Sequence, residues 1–312
     1  MKREQGILPL KAGAVRLPCL LPGPMDGVTD GNWVQVLSRR RWIQAWWTPF
    51  LRISTGVPRS ARFLSFMQPF LESGLPVIAQ LMGEDTERLA AAAARFAEAG
   101  AAAVDLNCAC PSKTVVSNHA GGWRLTQPRW IRDTIIAMKA AAPGIPISVK
   151  LRMGFAHSSE FLREIAPAIR DAAPDFVTLH FRTVAEGYAP VTDGLRRLAE
   201  ARRALEGIVF VGSGDLFSVN DIRTMFRECA VDGVAPARGM LVNPRLLAEA
   251  AAAEQGSPLP EMNMDEKRKL LEEFSHNAPP GFILQMAGNL FGKHSTDFQQ
   301  TLAGLKANGR LR

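Results

Sequence analysis

Residue types suited to chemistry concentrate in Val104-Asp-Leu-Asn-Cys-Ala-Cys-Pro-Ser-Lys-Thr114. An apolar run ends there in Asn107, Cys108, Cys110 and Pro111. Proline has no N–H for a central ladder, so a strand must stop near Pro111. Asn107 and Cys110 are thereby placed at or just past a strand's carboxyl end, where parallel α/β folds carry out their chemistry. A thiol in that position can act as nucleophile, metal ligand or proton donor. Cys19 and Cys229 read instead as small buried hydrophobes. Cys108 and Cys110 have no nearby His or Cys to complete a tetrahedral zinc site, so no metal is expected.

Polar and small residues follow other apolar runs in the same way. Gly23-Pro24-Met25-Asp26-Gly27-Val28-Thr29-Asp30 follows the first run, Thr48 the second, and Gln80 and Gly83 stand at the third. Lys150 and Arg152 end the fifth, and His180 and Arg182 end the sixth. Gly212-Ser213-Gly214-Asp215 follows the seventh and Ala237-Arg238-Gly239 the eighth. Small residues let backbone N–H groups come close to a phosphate, and Arg238 adds a charge-assisted donor. The last two loops therefore fit a phosphate-bearing cofactor. A lysine within an apolar strand needs a partner, because unpaired buried charge is costly. The pyrimidine edge of a flavin would serve, since a cation there stabilises the negative charge of the reduced ring.

The elements that must position these groups are read from the alternation of apolar runs with helical stretches. Strands are expected at Leu17–Leu21, Ile43–Trp47, Pro76–Leu81, Ala102–Leu106, Ile145–Leu151, Phe176–Leu179, Ile208–Val211 and Gly233–Ala235. The clearest helix is Asp85–Ala99, opened by Asp85 as N-cap and closed by Gly100. Eight such repeats in about 240 residues predict a (β/α)₈ barrel, which brings all eight strand ends to one face. A doubly wound open sheet has the same alternation, but no Gly-x-Gly-x-x-Gly follows the first strand to support it. The barrel is expected over residues 17–252 after an extension at 1–16. A linker at Glu254-Gln-Gly-Ser-Pro-Leu-Pro260 would lead to a small helical domain over 261–312, starting with a helix at Met264–Phe274.

The 312 residues are 47% hydrophobic and 21% charged, enough for a substantial core. No apolar run is long enough for a transmembrane helix, and the charged start Met1-Lys-Arg-Glu-Gln lacks a signal peptide's apolar stretch. Four cysteines make a poor disulfide framework for this length. A cytoplasmic monomer with no membrane association is expected. The net charge of +7 favours polyanionic partners.

The segment Asp105–Val115 resembles the catalytic loop of the tRNA-dihydrouridine synthases, and most closely the bacterial subfamily C pattern Asp-Leu-Asn-Cys-Gly-Cys-Pro-Ser-Lys-Thr-Val. It departs from that pattern only at Ala109. Six further segments match in order over roughly residues 17–245. The resemblance implies FMN as cofactor, NADPH as electron donor, and reduction of a D-loop uridine of tRNA, at position 16 in subfamily C. It places Gly23, Pro24, Met25, Gln80, Lys150 and His180 at the flavin. Ser213, Gly214, Asp215, Ala237 and Arg238 fall in its phosphate loops, Asn107 and Arg182 at the substrate, and Cys110 at the proton donor's position.

Departures from the family pattern are specific. Gly23 stands for alanine, Ser213 for asparagine, Ala237 for glycine, Phe181 for the glycine of His-Gly-Arg-Thr, and Pro49 for a glutamate. His119-Ala-Gly-Gly-Trp-Arg-Leu125 replaces a segment ending Gly-Ala-x-Leu-Leu. Ile283 and Gln285 occupy the places of an Arg-x-Lys pair used to grip tRNA, and Lys267, Arg268 and Lys269 are the candidate substitutes. Two other readings accompany this one: an eroded synthase that only binds FMN or tRNA, and a different FMN-dependent barrel dehydrogenase acting on a free small molecule.

Overall fold

Seven parallel strands follow one another around a sheet in sequence order: β3 (Trp46–Ile53), β4 (Val77–Gly83), β5 (Ala103–Cys108), β6 (Ile147–Arg152), β7 (Phe176–His180), β8 (Val209–Ser213) and β9 (Gly233–Val234). A two-stranded antiparallel hairpin, β1 (Leu10–Ala12) and β2 (Val15–Leu17), precedes them. This computed structural model describes residues 9–29, 31–276 and 278–308. Residues 1–8 of the expected extension and Asp30 of the Gly23–Asp30 motif lie outside the described residues.

Parallel strands need crossover connections, and helices such as Ser60–Leu71, Thr86–Glu98, Pro128–Ala141, Gly194–Ala204 and Val219–Cys229 supply them. Each buries an apolar stripe against the sheet; Thr86–Glu98 does so with Leu89, Ala92, Ala93 and Phe96. Its Asp85 N-cap accepts from Arg88 N at 2.9 Å, and Gly100 turns the chain at φ +91°. The strands are buried on both faces, as a helix-covered parallel sheet requires: every residue of β4, β5 and β7 is buried.

The barrel's first stave differs from expectation. Leu17 is spent in the hairpin, and Leu20 makes only an isolated parallel bridge to Val234. Pro18 and Pro22 have no N–H to extend a ladder. What remains are Val234 N to Cys19 O (2.8 Å), Leu21 N to Val234 O (3.0 Å) and Gly23 N to Pro236 O (2.7 Å). The second stave was expected to end at Trp47, but β3 runs on to Ile53 through Pro49. The pairing with β4 slips between Trp47 and Phe50, which accommodates the missing N–H. Thr48 therefore lies within the strand, where its buried hydroxyl accepts from Gln80 N at 3.0 Å.

At the other end of the chain, the helix Leu246–Glu254 passes through the expected barrel boundary at 252 before the chain extends. Three helices follow, Met264–Ser275, Pro280–Phe291 and Thr296–Ala307. They meet the barrel at the helix Gly31–Arg39: Trp33 stacks on Phe274 with centroids 4.9 Å apart. Asn32 Nδ2 donates to the carbonyls of Glu273, Phe274 and His276, closing a helix end whose carbonyls lack intrahelical partners. Arg40 holds Glu273 with both ends of its guanidinium, at 2.6 and 3.1 Å.

Candidate active site

The carboxyl ends of the strands enclose a cavity of about 560 Å³, within the size range of small-molecule sites. Pro24, Met25, Gln80, Asn107, Cys110, Lys150, His180, Ser213, Gly214, Asp215, Ala237 and Arg238 all line it, so residues from across the sequence meet in one place. Gly23 and Arg182 are not on its wall. Gly23 sits just behind it, its N–H on Pro236 O. Arg182, expected at the substrate, is 2% exposed and committed elsewhere: its guanidinium holds Asp215 at 2.8 and 2.5 Å, and its Nε donates to Ala189 O at 2.6 Å. Sequence pattern could not reveal that partner, which arrives from another strand's loop.

Cys110 is the one cysteine not fully buried; Cys19, Cys108 and Cys229 are packed away. The loop carrying it is built by Asn107, whose Oδ1 accepts from both Ala109 N and Cys110 N at 3.0 Å. This is the side-chain-to-backbone turn that asparagine favours at strand ends. Gly122 N donates to Cys110 O at 2.9 Å, so the divergent 119–125 segment still braces the loop from behind. In that segment Arg124 stands where the family has leucine and is buried. It stacks over Trp130 at 4.0 Å and donates to Gln127 Oε1 and Glu84 O. Burial raises the Cys110 thiol above its ordinary pKa and keeps it protonated at neutral pH, with Lys150 and Arg152 pulling the other way.

Beneath the loop the barrel interior is polar. Asp105 is fully buried and accepts from Gln80 Nε2 and Ser148 Oγ, each at 2.7 Å. Asn107 Nδ2 donates to Gln80 Oε1 at 2.8 Å. Burial lifts the Asp105 carboxyl to about 7, opposed by those two hydrogen bonds and by the charge of Lys150. Burial and the like charge of Arg152 depress Lys150 to about 8. His180 is pushed well below 6.5 by burial and by Arg152, Lys150, Arg182 and Arg238, so its ring is neutral. Its Nδ1 accepts from Arg182 N at 3.3 Å, which leaves the proton on Nε2 as a donor.

Arg152 and Tyr188 are among the wall residues that escaped the sequence-based choice of site. Arg152, noted only as a strand-end residue, donates to Ala109 O, Thr183 O and Gly187 O and tethers the cysteine loop to the loop after β7. Tyr188, the one tyrosine of the chain, stands 57% exposed at the mouth. The Arg238 guanidinium lies over its ring at 4.5 Å and near Phe217 at 5.7 Å, while donating to Asp215 at 2.7 Å. No local motif announces Tyr188; the turn-rich stretch 184–190 gave no apolar period to place it.

The family departures fit one another here. A Cβ on Gly23 would come within 2.9 Å of Pro236 O and 3.0 Å of the Ala237 methyl. Alanine at 237 and glycine at 23 are the reverse of the family's pair, so the methyl group has changed sides of one contact. Likewise the ring of Phe181 rests on Gly214, where a Cβ would lie 2.5 Å from it and where φ is +122°.

The cavity accepts a flavin on these grounds. It has a lysine without a carboxylate in hydrogen-bond contact, a neutral histidine donor, a fixed carboxamide, and small residues at the ends of β8 and β9. Barrel, cationic wall and single accessible thiol together define a cofactor-dependent barrel oxidoreductase. The family model described as "Dihydrouridine synthase (Dus)" matches residues 20–303, and the chain belongs to that family of flavin enzymes. It is similar to the tRNA-dihydrouridine(16) synthase of Pseudomonas syringae pv. tomato, with 28% identity over 80% of each chain. It is also similar to that of Pasteurella multocida, with 31% identity over 72% of this chain and 73% of the relative. Among solved structures, the old yellow enzyme homologue from Zymomonas mobilis shares the fold at a TM-score of 0.60 and 14% identity, covering 89% of this chain and 99% of that one.

Proposed function

We propose that this protein reduces the uridine at position 16 in the D-loop of tRNA to 5,6-dihydrouridine, with FMN as cofactor and NADPH as the source of electrons. The observation that carries this reading is the placement of Cys110, a protonated and partly accessible thiol, in one cavity with Lys150, His180 and Gln80. Relatives matched over most of the chain carry the name tRNA-dihydrouridine(16) synthase.

FMN, when bound, would supply hydride for C6 of the uracil ring. Every other task falls to this chain. Gln80, Lys150 and His180 would hold the ring system, Lys150 offsetting negative charge on the pyrimidine edge of the reduced ring. The Gly214–Asp215 and Ala237–Arg238 turns would take the phosphate. Cys110 gives its proton to C5 of the base, and Asn107 keeps the thiol in place through the two backbone amides of its loop. The target uridine must leave its stack to enter the cavity, and Tyr188 with Arg238 offers an aromatic and cationic rim at the entrance. No described helix is long and apolar enough to cross a membrane; the protein is taken to work as a cytoplasmic monomer on tRNA.

Dihydrouridine mapped in tRNA from wild-type and deletion cells tests the reading. Loss at position 16 alone is expected. Unchanged levels at every position, from cells whose purified protein is yellow and holds FMN, would leave a flavin protein without this activity and overturn it.

A further inference from the structure

The hydrogen bonds beneath the cavity form one continuous chain with a direction. At one end the Cys110 and Ala109 amides can only donate, and they fix Asn107 Oδ1 as acceptor. Its Nδ2 must then face Gln80, whose Oε1 accepts at 2.8 Å. Gln80 Nε2 is left to donate, and it meets Asp105 Oδ2 at 2.7 Å. Asp105 closes the chain: the Gln80 amide obliges its Oδ2 to accept whichever protonation state the carboxyl holds, and its other oxygen takes Ser148 Oγ. Neither carboxamide can turn over without setting donor against donor or acceptor against acceptor. The four side chains in this chain, Asn107, Gln80, Asp105 and Ser148, come from β4, β5 and β6 and are buried. Buried networks satisfied at every member specify a single arrangement.

We propose that Asp105 is the positioning residue of this site, fixing through Gln80 and Asn107 both the carboxamide that faces the flavin and the loop that carries Cys110. The flavin end of this statement rests on the function proposed above; the Cys110 end does not. One buried carboxylate thus couples two parts of the machinery that meet different reactants. Its setting favours the role: it has no solvent contact and, among the described residues, no ion pair, and around it stand Gln80, Ser148, Trp47 and the charge of Lys150.

The experiment exploits the polarity of the chain. Cys110 alkylation by iodoacetamide, followed by intact mass in flavin-free protein, reports the loop, because the other three thiols are buried. Asp105→Asn is expected to stay within about twofold of wild type, since Asn Oδ1 still accepts from Gln80 and its Nδ2 can donate to the Ser148 hydroxyl. Gln80→Glu sets a carboxylate against Asp105, and a change in alkylation rate of about tenfold or more is expected. Gln80→Glu combined with Asp105→Asn restores donor facing acceptor at every link and is expected to return the rate to within about threefold of wild type. A double variant as disturbed as Gln80→Glu alone, or a Gln80→Glu rate equal to wild type, overturns the proposal. If Gln80→Glu does not fold, recovery of folded protein in the double variant reports the same rescue, and failure of both refutes it. Since alkylation is read without cofactor, the outcome stands apart from whether this protein holds FMN; FMN affinity of Asp105→Asn, expected near wild type, tests the flavin end separately.

Discussion

Lys150 titrates where function can be read. Burial and Arg152 bring it to about 8, so it is charged at pH 7 and neutral at pH 9. A cation opposite the carbonyl acceptors of the flavin's pyrimidine edge gives a charge-assisted hydrogen bond only while protonated. FMN affinity from fluorescence quenching should therefore fall several-fold as pH rises from 7 to 9. Lys150→Met should bind weakly at pH 7 and show a flat profile; a wild-type profile equally flat would remove Lys150 from the flavin. The two neighbouring cysteines should part cleanly. Cys110→Ala is expected to keep FMN and its reduction by NADPH while losing dihydrouridine formation at least 100-fold, a loss typical of a missing general acid. Cys108 is wholly buried beside Asp105, and Cys108→Ala should cost on the order of 1 kcal/mol of stability with product still formed. Equal loss of product in both would mean that the acid has been misassigned. At this scale most of the site could be read from strand ends, because a barrel gathers them whatever their separation. What escaped were partners across loops: Arg182 with Asp215, and Arg152 with Tyr188.

Elements were legible where apolar runs were uninterrupted. β4 to β9 lie within two residues of their expected ends, since a run of Val, Ile and Leu flanked by polar residues has few other uses in a helix-covered sheet. Proline caused both larger errors. Pro18 and Pro22 reduced the first stave to a bridge, and Pro49, just past the expected end at Trp47, was absorbed by a slip in register. The contact between the first stave and the β9 turn also makes a test of packing. Gly23→Ala should lower stability by roughly 1–3 kcal/mol by overpacking and weaken FMN retention. Adding Ala237→Gly should recover part of that, because one of the two close contacts is removed while Pro236 O remains. Thermal melts of the four proteins give the coupling energy; strict additivity would show that the two methyl positions do not compete.

For the molecule as a whole the question is where tRNA is gripped. Ile283 is a core residue of the three-helix unit, 3% exposed, and its neighbour Gln285 is exposed but uncharged, so that helix face offers no cation there. Of the three candidate substitutes, Arg268 is already engaged by Asp297 at 2.6 Å and Asp265 at 3.0 Å. Lys267 and Lys269 carry no such pairing among the described residues. Replacing both with alanine should weaken tRNA binding and lower the slope of log affinity against log salt by about 1–2, with the visible flavin spectrum unchanged. Arg268→Ala should leave that slope unaltered. An unchanged slope in the double lysine variant would move the tRNA contact elsewhere on the +7 surface.

The thin first stave has a dynamic consequence. Three backbone hydrogen bonds, two of them making up the isolated bridge, join Cys19–Gly23 to β9, itself two residues long, and to the turn after it, whereas β5, β6 and β7 share full ladders. Amides at Leu21, Gly23 and Val234 should therefore exchange with deuterium by local opening, well before those in the middle of the sheet. Pro24 and Met25 line the cavity from one side of this seam and Ala237 and Arg238 from the other. A bound cofactor touching both would act as a clasp, slowing exchange along the seam while leaving β5 to β7 as they were.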